Sequence, residues 1–415
     1  MITFFKKQFC VYLAIAKLGF FFTTCTTEKK ILLGIECITK KTIKQHTKKG
    51  NPCVGLITNQ TGITQKGLLS VQVLQQKSIT VSTIFAPEHG YWGTVPAGNP
   101  VQTTVDPISK VPVVSLYAHG AGKNLTKEQV QNIDVLIFDM QDCGMRHFTY
   151  ISTLYKVMEG CAKYKVPLLV TDRPNPLGGL MEGPLVDPAL VSFISIAPIP
   201  LRHGMTIGEL ALYFNKQFFK NSVHLMVVPM KNYTRSLQDF IFFKRLSPNL
   251  PNKNAIYGYS FLGLVGEIEP FDVGVGTPYA FQQIGLPANC AGSSVFCEKI
   301  LKAFLKYGIG SKIVTYTDKK KRTCVGVRFT FNTNQTWSTM FCLKTVLQKA
   351  QKTHIPLLFS QSFSKAFGQD TLPKYILGGG TIHNYSSQFS CDLTLFYNKA
   401  ESCMLYTNKP FVTQR

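Results

Sequence analysis

From residue 53 onward, short apolar runs alternate with amphipathic stretches, and that rhythm leaves few folds open. Cys53-Val54-Gly55-Leu56-Ile57-Thr58 reads as an apolar strand ending in Asn59-Gln60-Thr61-Gly62. Residues 68–77 have the length of a short helix, and residues 79–85 alternate β-branched and polar side chains as the next strand. Pro87 ends that strand, because it has no N–H to donate to a ladder. Residues 111–117 read as an edge or loop-like strand because they contain Pro112. Asp134-Val135-Leu136-Ile137-Phe138-Asp139 reads as a strand buried on both faces. A helix from about Thr149 to Lys165 leads into a strand at 167–171, and a helix near 206–210 precedes one at 223–228. Strands alternating with helices imply right-handed βαβ units and a parallel α/β sheet with helices on both faces.

The polar residues fall at telling places. Asn59, Glu88, Asp139 with Asp142, and Asp172 with Arg173 all lie at the carboxyl ends of expected strands. Parallel strands bring those ends to one edge of the sheet, where ligands of open α/β folds bind. The stretch Phe85-Ala86-Pro87-Glu88-His89-Gly90-Tyr91-Trp92-Gly93 delivers a carboxylate, an imidazole and two large aromatics at such a point. Thr58-Asn59-Gln60-Thr61-Gly62 has the wrong spacing for a dinucleotide-binding turn, and no phosphate-binding G-x-x-x-x-G-K-[ST] occurs. No cofactor is called for.

A length of 415 residues suggests two domains, here a catalytic one over 30–240 and a smaller α+β one over 241–415. In the second, residues 325–331 alternate as a strand, 338–351 read as a helix with Ser338 at its N-cap, and 377–381 read as a loop. The net charge of +23 is dominated by lysine, with Arg only at 146, 173, 202, 235, 245, 322, 328 and 415. That spread is not a nucleic-acid footprint, which clusters Arg among aromatics, but it suits an anionic polymer such as a carboxylate-bearing cell-wall glycan. Residues 1–25 read as an export leader: Lys6-Lys7, an apolar stretch to Phe22, then Phe22-Thr23-Thr24-Cys25, which resembles a lipoprotein cleavage box with Cys25 as the lipid anchor. The ten cysteines beyond Cys10 and Cys25 show no C-x-x-C pair, so zinc is not expected. Several, such as Cys161, read as buried thiols, which counts against an oxidising compartment.

Six motifs occur in order: Phe-Ala-Pro-Glu-His-Gly at 85–90, Ser115-Leu116-Tyr117, Asp139-Met140-Gln141-Asp142-Cys143-Gly144-Met145-Arg146-His147-Phe148-Thr149-Tyr150, Asp172-Arg173-Pro174-Asn175-Pro176-Leu177-Gly178-Gly179, Glu182-Gly183-Pro184, and Arg202-His203-Gly204-Met205-Thr206-Ile207-Gly208-Glu209-Leu210-Ala211. Over residues 50–285 the chain resembles the exo-β-N-acetylmuramidase (NamZ) family, glycoside hydrolase family 171. The resemblance implies a Rossmann-like domain with a smaller C-terminal domain closing the cleft. It also implies release of N-acetylmuramic acid from the non-reducing end of peptidoglycan fragments, with the Glu of the first motif at the centre. Two departures stand out: Val275 where the family commonly has Arg in a G-R-G-T turn, and Phe148 where Tyr is common.

Glycoside hydrolysis needs one protonated carboxylic acid at the leaving oxygen and usually a second carboxylate. Burial beside aromatic rings favours the neutral acid, and Glu88 is the candidate. Asp139, Asp142, Asp172 and Glu182 compete for the second role, with Asp139 and Asp142 preferred. Each has a plainer reading: Asp139 as a strand-end residue bonding the next loop, Asp142 as a loop ion pair or a residue positioning Tyr150. Arg173, with Arg146 or Arg202 nearby, either clamps the lactyl carboxylate of muramic acid or braces an Asp. Asn59, His89, Asp172, Asn175 and His203 complete the expected binding set, His203 doubling as a candidate structural histidine. Trp92 and Tyr150 are the candidate sugar-stacking rings, or core. Glu209 reads as a surface or capping residue. The alternative to the hydrolase is a non-catalytic peptidoglycan-binding envelope lipoprotein.

Overall fold

The computed structural model describes residues 30–96, 98–117, 124–235, 245–332, 337–378, 380, 385, 389–407 and 409–412. The leader expected over 1–25 with Cys25, the boundary expected at 240–241 and parts of the 377–381 loop lie outside the described residues.

The expected strands form, and their burial explains why. They are β1 (Val54–Thr58), β2 (Val81–Ala86), β3 (Thr104–Val105), β4 (Pro112–Ser115), β5 (Val135–Asp139), β6 (Leu168–Thr171), β7 (Leu180–Met181) and β8 (Leu225–Val228). All but β7 join one sheet in the order β3-β4-β2-β1-β5-β6-β8. Every pairing in it is parallel except β3 with β4. Within the six parallel strands the chain order reads 3-2-1-4-5-6, the doubly wound Rossmann order. Alternate residues serve opposite faces: Val54, Leu56, Val135 and Ile137 pack into one core, while Ile57, Leu136 and Phe138 pack into the other. Helices Gly34–Cys37 and Ser70–Gln76 cover the first face, and Thr149–Tyr164 and Ile207–Gln217 cover the second. Pro112 is not at the sheet edge as expected. The two-residue β3 lies outside it, and Pro112 stands opposite Val105.

Beyond residue 250 the architecture changes to the expected α+β. β9 (Ile268–Glu269) pairs with β13 (Leu358–Phe359), while β10 (Gln283–Pro287), β11 (Gly310–Thr317) and β12 (Thr323–Thr330) form an antiparallel sheet in the order β10-β12-β11. Helices Lys253–Val265 and Ser293–Lys306 pack against it, and Thr339–Lys352 packs on those two helices, capped by Ser338 Oγ accepting from Phe341 N at 3.0 Å. One apolar core runs from Phe138 and Leu154 to Phe261, Phe304 and Phe329, so residues 31–415 make one compact unit. The chain end returns to the first part: β14 (Phe411–Val412) pairs with β7, and Tyr406 Oη donates to Asp172 Oδ2 at 2.5 Å.

The ten described cysteines are all free thiols, Cys161 among the buried ones. Among the described residues no helix is long and apolar enough to cross a membrane, and no group of three His, Cys, Asp or Glu side chains is placed to hold a metal ion.

Candidate active site

β2 stops at Ala86, and the three residues after it lie in a loop of unusual backbone. His89, Gly90 and Gly93 all have positive φ, at 68°, 76° and 63°. A non-glycine residue pays for that conformation, and His89 is held in it by its Nδ1, 2.8 Å from Val95 O, and by Val95 N donating to His89 O at 3.1 Å. Gly93 lets the loop lie against Gln60 from the end of β1, where a Cβ would come within 2.2 Å of the side-chain amide. The tight loop carries Glu88 inward, leaving it 7% exposed, with Oε1 accepting from Gly98 N at 3.0 Å.

Three phenols share the space around that carboxylate. Burial first, and then the Glu88 charge, raise Tyr117 above the usual phenol range. Tyr150 and Tyr259 are raised in the same way, burial leading and Glu88 among the further causes. All three therefore stay protonated and are hydrogen-bond donors at neutral pH. Tyr150 comes from the first turn of helix Thr149–Tyr164, and its Oη donates to Leu246 O at 3.0 Å. It is 1% exposed, so it is a donor buried in the wall and not a stacking platform. Trp92, 38% exposed and edge-on to Tyr91, is the candidate ring at the surface, beside a cavity of about 350 Å³ also lined by His89, Tyr91 and Val101. Asn59 is fully buried: its Oδ1 accepts from Thr61, and its Nδ2, next to Tyr150, has no partner.

Asp142 and Glu267 also act on Tyr259; Glu267 is partly exposed and bonded by Ser360 Oγ at 2.9 Å, so Asp142 is the buried second carboxylate beside Tyr259. Oδ2 accepts from Gly144 N at 2.7 Å and from His203 Nε2 at 3.1 Å, while Oδ1 is buried without a partner. Met205 N donates to His203 Nδ1, which makes Nε2 the protonated nitrogen that points at Asp142. His203 thus orients Asp142 and is not a substrate ligand. The loop ion pair expected for Asp142 is replaced by a hydrogen bond from this neutral histidine.

Other expected site residues are spent on the scaffold. Asp139 accepts from Ser70 Oγ, Thr171 Oγ1 at 2.7 Å, Arg173 Nε at 2.6 Å and Arg173 Nη2 at 2.7 Å, so it has no oxygen left for chemistry. Arg173, 1% exposed, also donates from Nη1 to Ile63 O; it is the brace, not the lactyl clamp. Asp172 accepts from Arg173 N, Gly208 N, Thr206 Oγ1 and Tyr406 Oη, and burial, then the nearby Glu209 charge, push it up to about 6. Asn175 bridges Met205 O and Leu177 N. Arg146 donates to Ser195 Oγ and to the carbonyls of Pro184, Ile199, Ala366 and Phe367, and Arg202 to those of Leu177 and Trp337. Neither guanidinium can meet a substrate. Glu182 caps helix Thr339–Lys352 through Ser338 Oγ and Thr339 N. Glu209 caps its own helix at Thr206 N, but it is buried and paired with Arg235, not at the surface.

Comparison with known proteins identifies the family. The N-terminal model of the exo-β-N-acetylmuramidase NamZ matches residues 54–254, and the C-terminal model matches 257–406. The chain belongs to the NamZ family. It is 34% identical over 369 residues to the peptidoglycan β-N-acetylmuramidase NamZ of Bacillus subtilis, covering 85% of this chain and 86% of that one. Two crystal structures of DUF1343-family proteins from Bacteroides fragilis share the fold. One has a TM-score of 0.75 at 27% identity over 91% of this chain and 99% of that chain; the other has 0.71 at 26% over 92% and 100%.

Sequence reasoning missed Tyr259 and Tyr117 as walls of the NamZ-family site, and Gln60 as its support. Tyr259 sits in Lys253–Val265, a helix apolar on nearly every side, where a tyrosine is indistinguishable from core. The usable signal was its glycines: a Cβ on Gly258 would sit 1.8 Å from Phe281 O, and one on Gly263 2.8 Å from His147 Nε2. Phe148, in place of the family's usual Tyr, packs on Tyr150 with ring centroids 4.6 Å apart.

His147 lies on this seam with neither ring nitrogen hydrogen-bonded, its ring centroid 4.7 Å from that of Tyr259. Burial, then the Arg146 charge, lower it from 6.5 to about 3. The unfolded chain therefore takes up this proton first as pH falls, and stability is full above pH 6.5 and lost below it. His147→Leu should remove up to about 1.4 kcal/mol per pH unit from the acid-side slope. Urea unfolding of both proteins at intervals between pH 6 and pH 4 measures it; parallel slopes would contradict the assignment.

Proposed function

We propose that this protein is an exo-acting glycoside hydrolase that releases N-acetylmuramic acid from the non-reducing end of peptidoglycan fragments. The observation that carries the reading is Glu88 at the carboxyl end of β2, among protonated Tyr117, Tyr150 and Tyr259, with Asp142 acting on the same Tyr259. Glu88 protonates the glycosidic oxygen as the bond to the leaving sugar breaks. Asp142, held by His203 and Gly144 with Oδ1 free, is the other member of the carboxylate pair. Tyr150 and Tyr259 fix the wall around the acid through Leu246 O and His147 O, and Trp92 offers a face to a sugar ring. The NamZ of Bacillus subtilis is named as a peptidoglycan β-N-acetylmuramidase, which supports the same substrate class here. A substrate of the cell wall also goes with reading residues 1–25 as an export leader with Cys25 lipidated.

The test is a chromogenic N-acetylmuramic acid β-glycoside beside its N-acetylglucosamine analogue, assayed on purified protein and on cell fractions. Turnover of the muramic glycoside, concentrated in the envelope fraction, is expected. Turnover of neither glycoside would leave the non-catalytic binding protein in its place, and activity confined to the cytosol with Met1 retained would remove the leader. Asp142→Asn in the same assay should lose activity on the scale of a missing acid–base group, about 10²-fold or more. Undiminished turnover would take Asp142 out of the pair.

A further inference from the structure

We infer that Arg245 is the residue that recognises the carboxylate of the muramic acid lactyl ether; this rests on the muramidase reading above. N-acetylmuramic acid differs from N-acetylglucosamine by that anionic ether, so selection for it calls for a cation whose donors are not already used. Arg146, Arg173, Arg202 and Arg235 are buried and committed to carbonyls, hydroxyls or carboxylates of the scaffold. Arg322 is paired with Asp318, and Arg328 lies over the Tyr279 ring while donating to Gln283 Oε1. Arg245 differs from all of them. It is half-buried and makes no hydrogen bond or ion pair with any described residue.

Its neighbour in the chain supports the loop of the acid. The carbonyl of the adjoining Leu246 receives Tyr150 Oη at 3.0 Å and Gln60 Nε2 at 2.8 Å. Tyr150 is one of the phenols that respond to Glu88, and Gln60 is the side chain against which Gly93 of the Glu88 loop rests. Leu246 is itself buried and fixed in a turn by Leu246 N donating to Leu250 O at 3.0 Å and Leu250 N to Ser247 O at 3.1 Å. An unspent guanidinium is thus anchored one residue from two supports of the acid's loop.

The experiment compares wild type, Arg245→Met and Arg245→Lys on the chromogenic muramic glycoside and on the same glycoside with its lactyl carboxylate methyl-esterified. Binding of free N-acetylmuramic acid and of N-acetylglucosamine is measured by calorimetry on the same proteins. Because no scaffold bond is lost, the unfolding midpoint should not move. Arg245→Met should raise KM for the acid by about tenfold or more, as loss of a charged hydrogen bond does, with kcat nearly unchanged and the ester unaffected. Arg245→Lys should recover part of that, keeping the charge but not the two-pronged donor. Equal changes on acid and ester, or none, overturn the proposal while leaving the muramidase intact. If wild type cleaves neither glycoside yet binds N-acetylmuramic acid through Arg245, the reaction is wrong and the recognition stands. Absence of both turnover and binding overturns both.

Discussion

Glu88→Gln should turn over the muramic glycoside about 10²–10⁴-fold more slowly than the wild type, the range that a positioned general acid contributes. The amide keeps the size of the side chain and an oxygen for Gly98 N, so the loop with positive φ at His89, Gly90 and Gly93 should hold its shape. KM should stay close to the wild-type value, because the phenols, Trp92 and the rest of the wall are untouched. The loss therefore belongs in kcat, as for an interaction made only in the transition state. Steady-state kinetics with a poor and a good leaving group sharpen the test. A leaving group that needs no protonation should be cleaved by Glu88→Gln with a much smaller deficit. Undiminished turnover of the poor one would end the assignment.

Asp139→Ala should cost about 3–5 kcal/mol of stability, the usual effect of removing one partner of a buried ion pair. The reason is what remains. Arg173 is 1% exposed, two of its nitrogens face Asp139, and Ser70 and Thr171 also donate to that carboxylate. Taking the acceptor away leaves a buried charge with Ile63 O as its remaining partner, while Ser70 and Thr171 keep the carbonyls of Gly62 and Phe138. Denaturant unfolding measures the loss, and activity per folded molecule separates it from chemistry. A variant as stable as the wild type but catalytically dead would return Asp139 to the candidate acids and overturn its role as a brace.

How much of this was legible beforehand differs from element to element. The period-two runs of β1, β2 and β5, Pro87 as a strand terminator and Ser338 as a cap were all readable, because each depends on neighbours within a few residues. Glu88 at the end of β2 was readable for the same reason, as was the gathering of polar strand ends at one edge. The roles of the charged residues were not. Arg173 and Asp139 are equally good as clamp and catalyst or as brace until β5 and β6 are placed side by side. Arg146 looks like a free cation in its motif, yet its donors reach carbonyls at 184, 199, 366 and 367.

The sequence by itself determined the parallel sheet, its Rossmann order being consistent with short right-handed crossovers, and it placed Glu88 at the crevice, since burial period and chain-breaking residues act locally. Only the tertiary structure decided which ionisable groups are spent. A guanidinium or carboxylate is used up by partners more than two hundred positions away, as Arg146 with Phe367 (221 apart) and Asp172 with Tyr406 (234 apart) show. It likewise decided that Tyr259 lies beside Glu88 and Asp142 and that Arg245 has no partner among the described residues. Both depend on how the helix Lys253–Val265 and the turn at Leu246 pack against the sheet's carboxyl edge, and no local pattern encodes that contact.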